Sequence, residues 1–93
     1  MDRQQLEEIL EERELSDTVF FENPGYFNAI IGLSTDDRLV YSFDKMVQCL
    51  VDEDGMTEED AIEFIEYNTI RALAYKMGEK MPIVVYDNDG MFE

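Results

Sequence analysis

Ala29-Ile30-Ile31-Gly32-Leu33, Ser34-Thr35-Asp36-Asp37 and Arg38-Leu39-Val40-Tyr41 follow one another in residues 29–41, and Ser42 comes next. Two apolar runs flank a polar four-residue connection, which is the pattern of a β-hairpin. Gly32, inside the first run, marks either a bulge or a place where something approaches the backbone closely. Upstream, Asn23-Pro24-Gly25 is a turn signal, because proline presets φ and glycine permits positive φ. The stretch from Thr18 to Ser42 therefore reads as β-rich.

Ser42 also begins a helix. Its hydroxyl suits an N-cap, and Phe43, Met46, Val47, Leu50 and Val51 form an apolar stripe at helical spacing. Gly55 stands where a left-handed residue would close that helix. Thr57-Glu58-Glu59-Asp60 then opens a third helix as a capping-box variant, with acids in the first turn where the helix dipole favours them. That helix is expected to run to about Tyr75, with Ala61, Ile62, Ile65, Thr69, Ala72 and Leu73 on its core face and Asn68 at the edge. Gly78 and Pro82 end it, Ile83-Val84-Val85-Tyr86 reads as a last strand, and Asp87-Asn88-Asp89-Gly90 as a turn or tail.

Before the hairpin, Asp2 to Glu14 reads as a helix with a narrow stripe of Leu6, Ile9, Leu10 and Arg13 among five glutamates. Such a stripe docks either on the body of the protein or on another molecule. The expected fold is α+β. A small three-stranded, mostly antiparallel sheet packs against two or three helices in the order α-β-β-α-α-β. The divisions are an acidic helix and linker over 1–17, a core domain over 18–87 and a tail over 88–93.

Composition narrows the function classes. The 93 residues carry a formal charge of −16, which disfavours direct binding to nucleic acid or an anionic membrane, since both need Lys and Arg. A hydrophobic content of 45% is ample for a core, so the acidity does not imply disorder. No apolar run approaches the ~18–20 residues of a membrane span. The polar start Met1-Asp2-Arg3-Gln4-Gln5 is unlike a signal peptide. With one cysteine, Cys49, and no histidine, an internal disulfide, a Cys–His pair and a Ser-His-Asp triad are impossible. A cytoplasmic, non-enzymatic protein without cofactor or metal is expected. Cys49 lies off the apolar stripe of its helix, so an inert, half-exposed thiol is expected.

Charge is concentrated between Asp52 and Glu66, where Asp52, Glu53, Asp54, Glu58, Glu59, Asp60, Glu63 and Glu66 have no basic residue among them. An EF-hand with Gly55 at its sixth position would begin at Leu50 and end at Ala61, so its first and last ligands are missing. A calcium site of another design remains a rival reading. The bland reading is a well-capped, solvated helix junction. The sharper one is mimicry of a phosphate backbone: at 100° per residue Glu59, Glu63 and Glu66 fall within about 60° of one another. Duplex DNA carries a charge per ~1.7 Å, so that ridge needs the Asp52–Asp54 corner and the first helix to widen it. Tyr67, Ile70 and Ala74 form a second apolar stripe beside the ridge. Either the first helix covers it or it anchors a partner.

Over Tyr41-Ser42-Phe43-Asp44-Lys45-Met46-Val47, Asp54-Gly55-Met56-Thr57-Glu58-Glu59-Asp60-Ala61 and Glu66-Tyr67-Asn68-Thr69-Ile70-Arg71-Ala72, the chain resembles a family of short, uncharacterised acidic proteins. They are encoded by phages, prophages and mobile elements of Firmicutes-type bacteria. The resemblance spans roughly Tyr26 to Asp87. It implies an accessory role in a mobile element, where small acidic inhibitors of nucleic-acid-binding defences are one known style. The expected activity is contact with a basic protein surface, such as the nucleic-acid-binding surface of a host or defence protein. Asp52, Glu53, Asp54, Glu59, Glu63 and Glu66 would supply charge, and Tyr67 and Ile70 anchors. The rival is a homodimeric structural or regulatory domain whose acidity serves solubility.

Overall fold

In the hairpin, the N–H of Ser34 donates to the Arg38 carbonyl at 2.8 Å, and the N–H of Asp37 donates to the Ser34 carbonyl at 3.0 Å. Asp37 takes a left-handed φ of 63°, which an aspartate tolerates better than most residues. The strands so joined are β1 (Ile30–Leu33) and β2 (Leu39–Ser42), antiparallel, with a register shift between Ile30 and Gly32. The third strand, β3 (Ile83–Val85), lies on the other side of β2 and runs parallel to it. The computed structural model describes residues 1–22, 24–71 and 80–87. Asn23, helix-three residues Ala72 to Tyr75, the expected stop at Gly78 and the turn at Asn88-Asp89-Gly90 lie outside them.

The α+β class and element order are as expected, and the sheet is mixed, with order β1-β2-β3. The chain leaves β2 through two helices before it reaches β3, and such a crossover returns a strand in the same direction. The stretch from Thr18 to Tyr26 corrects the expectation of β structure: its described residues form no strand. They form an aromatic arch instead, with Phe21 4.7 Å from Tyr41 and 5.7 Å from Tyr26 between ring centroids. The aromatic side chains of this stretch are buried by ring packing rather than by a sheet face.

Helix α1 (Arg3–Glu12) starts at Asp2, whose carboxylate accepts the N–H of Gln5 while the Gln5 amide accepts the N–H of Asp2. It ends at Glu14 in a left-handed turn (φ 59°), where the N–H of Leu15 reaches back to the Leu10 carbonyl at 2.7 Å. Leu6 and Leu10 are buried in the common core. Helix α2 (Phe43–Asp54) is capped by Ser42 and closed by Gly55 at φ 67°, a conformation that costs an L-residue with a Cβ. The Ser42 hydroxyl also donates to the Asp87 carboxylate, which ties the end of β3 to the start of α2.

Helix α3 (Glu58–Phe64) starts on the Thr57 hydroxyl, which accepts the N–H of Asp60 at 3.2 Å. From Ile65 to Ile70 it widens into a π-helix, and Arg71 donates its N–H five residues back to Glu66. A wider turn rotates each residue by less than the α-helical 100°. It therefore counters the drift that would carry Thr69 off the line of Ala61 and Ile65. All three are buried, and Thr69 shares a 3.0 Å hydrogen bond with the hydroxyl of buried Tyr26.

Candidate functional site

The acidic corner is built by two caps. Gly55 stops α2 directly after Asp52, Glu53 and Asp54, and Thr57 restarts the chain as α3 two residues later. The eight acids from Asp52 to Glu66 are all exposed. Asp52 accepts a hydrogen bond from the Gln48 amide at 2.9 Å. Among the described residues the ion pairs use Arg3, Arg38 and Lys80, and none reaches this corner. Glu59 and Glu63 stand on the α portion of helix three, Glu66 and Tyr67 on the π portion. No three acidic or thiol groups among the described residues are arranged to hold a metal ion.

The two stripe residues that can be described differ. Tyr67 is 65% exposed, so α1 does not cover it. Ile70 is half-buried against the core. Ala74 lies outside the described residues. The apolar element beside the acids is thus chiefly one tyrosine ring, with Ile70 at its base. Asn68 is exposed, whereas Thr69 is engaged with Tyr26.

Cys49 corrects the expectation of a half-exposed thiol, since it is buried. The short 3-10 turn Phe27–Ala29 packs on α2 and covers the flank that helical spacing leaves open. Burial pushes the thiol pKa up, and the nearby Glu53 carboxylate adds to the effect. The thiol is therefore held protonated and unreactive.

A second region went unrecognised in the sequence. Between α1 and the hairpin runs a groove of about 440 Å³ whose walls include Met1, Ile9, Leu33 and Leu39. Met1 and Ile9 are shared with a neighbouring cleft of about 460 Å³ that is also lined by Gln5, Glu8 and Glu12. Its signals were the exposed third of the α1 stripe, Ile9, and the glycine at position 32.

No family model, curated protein or solved structure matches this chain.

Proposed function

We propose that this protein acts by protein–protein contact, presenting the Asp52–Asp54 corner and the Glu59, Glu63 and Glu66 row to a basic partner surface. The observation that carries the reading is an exposed tyrosine, Tyr67, set among exposed acids that no basic side chain neutralises among the described residues. The charge draws in a basic surface over a range limited by salt, and the ring supplies apolar area that becomes desolvated on contact. The nucleic-acid-binding surface of a host or defence protein has the matching chemistry, because it is built to neutralise phosphates. The resemblance to mobile-element proteins agrees with such a partner.

Immobilised protein should capture nucleic-acid-binding proteins from bacterial lysate, and both salt and free duplex DNA should release them. Joint substitution of Glu59→Gln, Glu63→Gln and Glu66→Gln should weaken capture about tenfold. Capture that ignores salt and the triple substitution would sink the proposal. A dimer in sedimentation that Tyr67→Ala dissociates would favour the homo-oligomeric rival.

A further inference from the structure

We propose that the groove between α1 and β1 docks an extended peptide segment of a partner, bearing alternating apolar and basic side chains, which adds to the sheet as a strand beside β1. This surface is separate from the acidic corner, and four observations support it.

The first is the sheet edge. β1 is the outer strand in the order β1-β2-β3. Ser34 and Arg38 are a hydrogen-bonded pair at 2.8 Å. Antiparallel ladders alternate hydrogen-bonded and non-bonded pairs, so the Leu33/Leu39 pair sends the N–H and C=O of Leu33 outward, away from β2. An edge with outward backbone groups is what an added strand uses.

The second is Gly32. Glycine within a strand is destabilising relative to alanine, so its presence asks for a reason. At Gly55 the reason is a φ of 67°. Gly32 has no positive φ, and beyond its chain neighbours no heavy atom lies within 4 Å of where its Cβ would sit. Neither the bulge nor packing therefore requires it. Gly32 pairs with Val40, on the face opposite Leu33 and Leu39, so what glycine supplies is a stretch of edge strand with no side chain to crowd an approaching backbone.

The third is the apolar lining. Met1 and Ile9 are 47% and 38% exposed at the groove mouth, above the buried Leu6, Leu10 and Leu39. These positions suit the apolar side chains that alternate along one face of an added strand.

The fourth is charge. The adjoining cleft holds Glu8 and Glu12, and Arg13 lines the groove itself. A lysine or arginine next to the apolar residue therefore has a carboxylate to meet. A second copy of this chain is the poorer occupant, because two molecules of charge −16 repel. A helix is poorer too, since its backbone is already satisfied and has no use for the outward groups of Leu33.

The test uses a fluorescein-labelled eight-residue peptide of alternating lysine and valine, and a second peptide N-methylated at alternate residues. The second keeps charge and apolar area and loses strand donors. The first should bind with amide chemical-shift changes at Ile31 and Leu33, and the second about tenfold more weakly. Ile9→Ser, at a partly exposed position of the groove lining, should fold and bind the first peptide about tenfold more weakly, since it removes apolar surface from the groove. Tyr67→Ala should leave peptide binding unchanged, which separates this result from that for the acidic corner. The proposal is overturned by no measurable binding, by equal affinity for both peptides, by an unaffected Ile9→Ser, or by a wild-type dimer that Ile9→Ser dissociates.

Discussion

Helices α1 and α3 both present carboxylates to solvent, and they differ in what lies beside the acids. Along α3 the acids are exposed beside one exposed ring, Tyr67. Along α1, Glu8 and Glu12 border a concave surface that runs into an apolar groove. An exposed acidic row offers charge above all, so it suits long-range attraction to a broad basic surface. A groove offers shape with charge at its rim, and so suits a short segment of defined pattern. Counting acids ranks the Asp52–Glu66 run first, whereas geometry gives α1 the more selective surface.

The contrast breaks most completely if α1 is loosened. Leu6→Ala empties a fully buried position under the groove and should cost about 2–5 kcal/mol, read by chemical denaturation. The groove should be lost with it, while the α3 ridge should keep whatever salt-sensitive binding it has in the surviving folded fraction.

A smaller effect belongs to the other side. Tyr26→Phe removes the hydroxyl that meets Thr69 in the π-helix and should cost about 1 kcal/mol. The loss should stay near that value because the Thr69 hydroxyl can turn to a carbonyl of its own helix. Amide exchange should speed up between Ile65 and Ile70 and stay unchanged in β1.

The last effect vanishes at neutral pH. Burial pushes Tyr41 up to about 12, and burial also raises Tyr26 against the opposing hydrogen bond from Thr69. An unfolded tyrosine titrates near ~10. Both folded phenols hold their protons more tightly, so their contribution is complete below ~10 and is lost as pH rises through the folded values. Denaturation midpoints should therefore fall as pH passes from about 10 to about 12, and less steeply in Tyr41→Phe.

Where the sequence was legible, the information was local. Ser42, Gly55 and Thr57 were readable as caps because a cap is a hydrogen bond or a φ value within a few residues. The hairpin was readable because its connection is short, five residues between Leu33 and Leu39. The parallel partner of β2 was not, since β3 lies some forty residues further along and pattern alone does not say on which side a returning strand pairs. The π-helix was hidden for a related reason. Helical spacing at a constant 100° already gave Ile65 and Thr69 a core face, and nothing local marks the wider turn that aligns them beneath Tyr26. Cys49 was misjudged because the turn that covers it comes from residues 27–29, outside its own helix.

For the candidate sites the division is similar. The acids of the Asp52–Glu66 run were identifiable by composition, and their exposure follows from the cost of burying charge. The fate of Tyr67 and Ile70 was not, because adjacent stripe positions separate into exposed and half-buried only when the neighbouring elements are in place. Gly32 was conspicuous in the sequence as a glycine within a strand. That it faces open space rather than a crowded neighbour is a fact of packing between distant segments. By itself, then, the sequence determined the helices, the hairpin, their caps and the charge, all of which arise from interactions within a few residues. Only the tertiary structure decided the mixed sheet, the π-helix and the groove, because each depends on which distant surfaces bury one another.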